Sequence, residues 1–195
     1  MITSDNKLVD KILGLYSKYK EELKDLEKKA IIFQKGKTCM LPFRTTEILY
    51  LLVRELKPEK IIEFSPHHGW SSFWILEALK RNENGKLYSF DLIDSAKHNL
   101  TEYQDQLEFF IGDVKEHLME DLVDRCDFFY IDSEHTEEFA RWYIEKILDV
   151  KKGNSGKTIW VSYEVLNYNG QLVRGYSPWS KTQKEFLSMY ILIEE

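Results

Sequence analysis

Five short apolar runs, each closed by a polar or acidic residue, constrain this chain more than any other feature. They are Lys60 to Phe64, Lys86 to Phe90, Leu107 to Ile111, Asp127 to Ile131 and Lys157 to Tyr163. Runs of this length flanked by turn residues read as strands. Between them lie segments of helical length, Trp70 to Arg81, Ser95 to Tyr103, Val114 to Leu122 and Thr136 to Val150. Strands that alternate with helices pair in parallel, because each crossover must run back along the sheet. The strands are apolar throughout, as expected where helices cover both faces. The expected class is therefore α/β, with an open, mostly parallel sheet. Polar groups follow the strands in turn, Asp91, Asp113, Asp132 and Glu164 among them. Open parallel sheets bind ligands beyond the carboxyl ends of their strands, so the acids gather where a ligand is expected.

Two helices precede this core. From about Asn6 to Lys29, Leu8, Ile12, Leu15, Tyr19, Leu23 and Leu26 recur at three- and four-residue steps, one face of an amphipathic helix. The second runs from Thr45 to Leu56 and ends at Lys57-Pro58, since the residue before proline avoids the helical region. After Glu164 the chain reads as a turn at Asn167 to Gly170, a short helix at Lys181 to Leu187 and a last strand at Met189 to Ile193. One domain is expected: N-terminal helices over 1–58, a ligand-binding core over 59–165 and a short C-terminal part over 166–195.

Composition narrows the class. Hydrophobic residues make up 43% and charged residues 31% of 195 residues, ordinary for a soluble globular protein. The net charge of −6 opposes a phosphate backbone, so no nucleic-acid partner is expected. The two cysteines, Cys39 and Cys126, form no CxxC pair, and Cys126 leads an apolar run and reads as buried. The polar segment Met1 to Lys11 lacks the apolar stretch of a signal peptide. Nothing approaches the roughly 18 apolar residues of a membrane span. A cytoplasmic protein with no membrane partner is expected, and the N-terminal helix offers a surface for a homodimer.

The turn after the first strand reads Ser65-Pro66-His67-His68-Gly69-Trp70-Ser71-Ser72. Backbone N–H groups at such a helix start attract anions, and Gly69 lets the backbone pass close to a ligand. An ordinary capped turn is the plain alternative. Asp91, at the end of the second strand, can accept both hydroxyls of a ribose or simply cap the next helix. Asp113 can accept from the exocyclic amine of adenine or cap the helix after it.

Taken together, Lys60 to Ile75, Asp91, Phe110-Ile111-Gly112-Asp113 and Phe129-Tyr130-Ile131-Asp132-Ser133-Glu134-His135 resemble the class I S-adenosylmethionine-dependent methyltransferases. The nearest branch is that of small-molecule O-methyltransferases of the catechol and cephalosporin-hydroxylase-like type, whose Asp-x-x-His pattern matches Asp132 and His135. The resemblance covers roughly residues 40 to 165. It implies a Rossmann-like doubly wound sheet with a shortened C-terminal part. It further implies that Glu63 orients the first turn and helps hold the methionine amino group. Ser65, His67 and Gly69 would line the methionine portion, Ser71 or Ser72 its carboxylate, Asp91 the ribose and Asp113 the adenine. The family usually carries glycine where Ser65 and His67 stand.

In metal-dependent relatives, acids after the fourth and fifth strands bind Mg²⁺, which lowers the pKa of the acceptor's hydroxyl. Asp132 and Glu164 occupy those places. His135 could serve as a general base, or could be a helix-start residue bonded to a nearby carbonyl. Tyr168, Tyr176 and Trp179 could form an apolar lid or simply pack. The reaction implied is transfer of a methyl group from S-adenosylmethionine to a small hydroxylated acceptor. The rival is a catalytically inactive S-adenosylmethionine- or S-adenosylhomocysteine-binding scaffold of the same fold. A nicotinamide-dependent oxidoreductase fits worse, because His67 and His68 crowd the loop that its pyrophosphate requires.

Overall fold

The computed structural model describes residues 6–37, 43–134, 136–151, 158–162, 164–166, 172–174 and 190–194. The chain divides into two compact units. One comprises residues 1–59, 66–87 and 93–108, and the other residues 60–65, 88–92 and 109–195.

The first unit is helical. Its main elements are α1 (Asn6–Lys18), α2 (Lys20–Gln34), α3 (Phe43–Leu56), α4 (Trp70–Asn82) and α5 (Ser95–Asn99). Helix α3 packs on α4, α1 on α3, and α2 on α4. The anticipated single N-terminal helix is broken at Tyr19, whose φ of −104° and ψ of 16° leave the helical region. The break is slight. Tyr19 still donates its N–H to Leu15 O (2.9 Å) and accepts from Leu23 N–H (3.0 Å), so the apolar stripe runs on through it. Tyr19 is held in this position by its phenol, which donates to Glu55 Oε2 at 2.9 Å, and by the Arg54 guanidinium 5.2 Å from its ring centroid. Helix α3 ends where expected, with Lys57 at φ 48° before Pro58.

Two carboxylates of this unit, Glu77 and Glu22, are paired. Glu77 of α4 is 2% exposed. Its carboxylate accepts from the Tyr103 phenol (2.8 Å) and from Lys29 Nζ of α2 (2.9 Å). Glu22 of α2 accepts from Arg54 Nε (2.9 Å) and Nη2 (3.0 Å) of α3, and that guanidinium holds its carboxyl below the usual range. A buried charge left alone would cost several kcal/mol, so each pair fixes the register of its helices.

The second unit carries the sheet. Its strands are β1 (Lys60–Phe64), β2 (Lys86–Asp91), β3 (Leu107–Ile111), β4 (Phe128–Ile131), β5 (Thr158–Ser162) and, last in the chain, β8 (Tyr190–Glu194). The first two residues of β2 and of β3 belong to the helical unit. The strand order is β3-β2-β1-β4-β5-β8. β1 pairs parallel with β4 from Ile61↔Phe128 to Phe64↔Ile131, and β4 parallel with β5. β8 closes the edge antiparallel to β5. The anticipated final strand thus exists, displaced by one residue. The short strands β6 (Glu164–Leu166) and β7 (Leu172–Arg174) form a separate antiparallel pair. The anticipated features at 167–170 and 181–187 lie outside the described residues.

Helices α6 (Val114–His117), α7 (Glu120–Asp124) and α8 (Glu137–Lys151) complete this unit. The single helix anticipated over 114–122 is two, because Leu118 is extended (φ −72°, ψ 107°). Thr136 Oγ1 accepts from Phe139 N–H at 3.2 Å, starting α8 with Glu137 and Glu138 in its first turn. Its apolar face brings Phe139, Ala140, Tyr143 and Ile147 against Ile62, Phe64, Phe129 and Ile131 of β1 and β4. Burying each large side chain contributes roughly 1.5–3 kcal/mol. Cys126 is fully buried, and burial pushes its thiol up to about 12, which leaves it unreactive. The order reverses between β1 and β4, the switch point beside which such sheets bind ligands. Among the described residues no helix is long and apolar enough to cross a membrane.

Candidate functional site

A cavity of ≈ 220 Å³ opens at the carboxyl ends of β1, β2 and β3. Ser65, Asp91, Asp113, Lys115, Glu134 and Phe139 line it, with Phe90 and Gly112. Backbone hydrogen bonds set its rim. Ser65 N–H donates to Phe90 O (2.8 Å), and Gly112 N–H donates to Asp91 O (2.8 Å). Three successive strand ends are thereby tied at one level, and the side chain of Asp91 is delivered to the cavity. Below the rim Glu63 is wholly buried in β1 and accepts from the Ser89 hydroxyl at 2.7 Å. Phe90 and Phe110 stack with centroids 4.6 Å apart, stiffening the cavity side of β2 and β3.

Asp113 caps a helix and also borders the cavity. Its Oδ1 accepts from Lys115 N–H at 2.9 Å, the N-cap of α6, while the residue also lines the cavity. Asp91 caps no described helix. The residue before α5 is Asp94, whose side chain makes no cap bond.

The turn after β1 takes a positive φ at Ser65, His67 and Gly69, only the last of which is glycine. Ser65 has φ 60°, His67 φ 53° and Gly69 φ 85°, so the left-handed conformation recurs at every second residue. At the first two positions a side chain adopts a region that costs L-residues about 1–2 kcal/mol. His67 is exposed and its ring lies edge-on to that of His68, 4.0 Å between centroids. Replacing His67 with glycine removes this strain together with the contacts of the imidazole. His67→Gly is expected to raise the melting temperature by about 2 °C, once glycine's greater unfolded-state entropy is set against the relieved strain. A calorimetric melt that falls instead would show that contacts of the imidazole outweigh the strain.

Gly69 begins α4, with its carbonyl accepting from Phe73 N–H at 2.9 Å. The reason for glycine is packing as well as φ. A Cβ here would lie 2.8 Å from Leu100 Cδ1 and 3.3 Å from Ala96 Cβ. Ser71 and Ser72, anticipated as hydroxyls at the helix start, are 4% and 0% exposed.

Asp132 directly follows β4 and is half-buried; Ser133 and Glu134, the next two residues, line the cavity. His135 and the aromatic residues Tyr168, Tyr176 and Trp179 lie outside the described residues. Glu164 does not extend β5. It opens β6, in register with Arg174 of β7. Among the described residues no three His, Cys, Asp or Glu side chains come together as a metal centre.

Sequence reasoning missed Lys115 and Phe139. Lys115 Nζ stands 5.5 Å from the centroid of Phe139 and 5.7 Å from that of Trp142. The available signal was its place in the first turn of a helix, where the dipole favours acids over cations.

A methyltransferase-domain family matches the chain over residues 63–160. No curated protein matches. Among solved structures the chain is similar to the O-methyltransferase TomG from Streptomyces achromogenes, involved in tomaymycin synthesis and crystallised with S-adenosylmethionine. The identity is 19% over 69% of this chain and 63% of that one, with a TM-score of 0.52. It is similar to a Podospora anserina methyltransferase bound to S-adenosylhomocysteine (15% identity, 83% and 71% of the two chains, TM-score 0.57). It is also similar to an O-methyltransferase from Bacillus cereus in complex with S-adenosylhomocysteine (15%, 87% and 71%, TM-score 0.54). The chain spans less than two thirds of the length of TomG. Likeness at these identities is one of fold, the Rossmann-like sheet of class I methyltransferases. With a family match that runs from Glu63 in β1 to Trp160 in β5, across the switch point and every strand end of the cavity, the chain belongs to the methyltransferase-domain family.

Proposed function

We propose that this protein transfers a methyl group from S-adenosylmethionine to the hydroxyl of a small acceptor. The observation that carries this reading is the convergence of Asp91 and Asp113 on one cavity at the ends of β2 and β3. A ribose presents two vicinal hydroxyls, and the Asp91 carboxylate can accept both. Asp113 has lone pairs beyond its cap bond for the exocyclic amine of adenine. Ser65, His67, Gly69, Ser71 and Ser72 follow β1 directly in the chain and would hold the methionine end, with Glu63 supporting the turn from within the strand.

S-adenosylmethionine supplies an electrophilic sulfonium methyl group. The protein's part is to align the acceptor oxygen with it, exclude water and take the hydroxyl proton. Asp132 and His135 follow β4 beside Ser133 and Glu134 of the cavity and are assigned the acceptor side, His135 as the base. Asp132 and Glu164 are the acids that would hold Mg²⁺, an ion suited to oxygen ligands, if the acceptor's hydroxyl is activated by metal. Asp132→Ala is expected to leave S-adenosylhomocysteine affinity within about twofold and to lower turnover by about 100-fold or more, the usual range for an acid–base group. Full activity of that variant on an identified acceptor would remove Asp132 from the catalytic set.

The departure from glycine at Ser65 and His67 favours the second reading, an S-adenosylmethionine- or S-adenosylhomocysteine-binding scaffold without turnover. Calorimetric titration of the full chain with both ligands, with and without Mg²⁺, tests the first step. Saturable 1:1 binding is expected. Absence of binding at millimolar ligand overturns the methyl-transfer reading, and binding without turnover across an acceptor screen leaves the scaffold. Homodimerisation through the N-terminal helices belongs to the same proposal. Exposed Leu13, Ile31 and Ile32 (50%, 62% and 74%) support it, and a species of monomer mass in sedimentation equilibrium would remove it.

A further inference from the structure

The cavity holds one cation among its lining residues and three carboxylates, Asp91, Asp113 and Glu134. Lys115 is that cation. Among the described residues its ammonium has no carboxylate within ion-pairing distance. It lies instead over the rings of Phe139 and Trp142, at 5.5 and 5.7 Å from their centroids. Such a contact is worth about 0.5–1 kcal/mol at an exposed site, enough to bias the long side chain towards one position. Phe139 lines the same cavity, so the ammonium is held at its wall.

The charges decide what Lys115 can meet there. An anionic group entering the cavity would face three carboxylates against one ammonium, a net repulsion. A neutral heteroaromatic ring meets no such penalty. Asp113 is bound to Lys115 through its cap hydrogen bond (2.9 Å), so the acceptor and the donor side chains arise two residues apart on one turn. Both residues line the cavity, one with an accepting carboxylate and the other with a donating ammonium.

We propose that Lys115 is a specificity-determining residue that reads the purine of the cofactor: its ammonium donates to ring nitrogen N1 of adenine while Asp113 accepts from the adjacent exocyclic amine. The inference rests on the S-adenosylmethionine reading above. Adenine carries the complementary pattern, a donor amine next to an unprotonated N1. Hypoxanthine carries the reverse, a carbonyl oxygen next to a protonated N1. In that ring the oxygen would face the carboxylate and the N–H would face the ammonium, leaving polar groups of the site unpaired.

The test is calorimetry on the full chain with S-adenosylhomocysteine, its inosyl counterpart and its 7-deaza counterpart. The wild type is expected to bind the inosyl ligand about a hundredfold more weakly, as sites that hydrogen-bond a ligand reject the analogue lacking the match. The 7-deaza ligand is expected to bind as S-adenosylhomocysteine does. Lys115→Met keeps the apolar stem over Phe139 and loses the donor. It should bind S-adenosylhomocysteine about tenfold more weakly, the effect of one hydrogen bond to a charged group. Its preference for adenine should shrink by a similar factor. Lys115→Arg should restore much of both, which a purely structural lysine would not do. Unchanged affinity and unchanged preference in Lys115→Met overturn the proposal and leave the S-adenosylmethionine reading standing. A tenfold loss with the 7-deaza ligand moves the contact to N7 and overturns the N1 assignment. Failure of the wild type to bind S-adenosylhomocysteine overturns both readings at once.

Discussion

Asp91→Ala should weaken S-adenosylhomocysteine binding by a hundredfold or more while the protein stays folded. A carboxylate at the end of β2 is acceptor-only, and a ribose offers two donors side by side. Each hydrogen bond to a charged group is worth about 1.5–3 kcal/mol, so the pair lost amounts to about 3 kcal/mol at the low end, or more than a hundredfold. Asp91→Asn keeps the shape and one acceptor and should lose about tenfold. The main chain of residue 91 also has a structural duty, its carbonyl accepting from Gly112 N–H at 2.8 Å. That bond is indifferent to the side chain, which is only half-buried. Asp91→Asn, which keeps the shape of the side chain, should therefore lower the melting temperature less than Asp91→Ala. Titration calorimetry beside a thermal melt separates the two effects. A variant that binds as tightly as the wild type would take the ribose away from Asp91, and with it the main support for methyl transfer. A variant that binds poorly and also melts early would leave the loss ambiguous between fold and ligand, which is why the asparagine variant accompanies it.

The fold was legible where one physical cause dominated. Strands β1 and β3 fall on their anticipated residues, and β2, β4 and β5 within one or two. An apolar run buried on both faces has a sharp edge, the first residue that needs water. Helix α8 is off by one residue for a similar reason, since Thr136 marks its start. The signal failed where local geometry answered to distant partners. Nothing in the periodicity through Leu15, Tyr19 and Leu23 announces that Tyr19 leaves the helix, because Glu55 and Arg54 of another helix hold it there. The break at Leu118 is likewise invisible in a stripe that continues through Leu122. In the site, Asp91 and Asp113 were legible because topology alone delivers strand-end acids to one place. The positive φ of Ser65 and His67 was not, since neither residue favours it and only the requirement of the turn imposes it. Glu164 was legible as an acid just past β5; that it opens a short strand of its own, β6, was not. Lys115 was not legible because its aromatic partners lie some twenty-five residues further along the chain.

Gly69→Ala should lower stability by about 2–3 kcal/mol, through two separable causes. The first is conformational. At φ 85° any L-residue sits in the left-handed region, at a cost of about 1–2 kcal/mol, part of which is offset by the stiffer unfolded chain of alanine. The second is steric. The new methyl would stand 2.8 Å from Leu100 Cδ1 and 3.3 Å from Ala96 Cβ, too close for either. Leu100 is 1% exposed and has little room to withdraw, so the crowding should add about 1–3 kcal/mol. Gly36 supplies the control. It has nearly the same backbone, φ 79°, with nothing within 4 Å of the place a Cβ would take, so Gly36→Ala should show only the conformational cost. For a chain of this length the melting temperature should fall by about 5 to 10 °C in Gly69→Ala and by about 3 °C or less in Gly36→Ala. Equal shifts in the two variants would mean that Leu100 does not crowd position 69. The same pair also separates packing from ligand binding. If Gly69→Ala melts early yet, below its transition, binds S-adenosylhomocysteine within a few-fold of the wild type, the glycine serves the seat of α4 against Leu100. If it melts like Gly36→Ala and loses binding, the close approach that demands glycine is that of the cofactor, and the first turn of α4 belongs to the binding site.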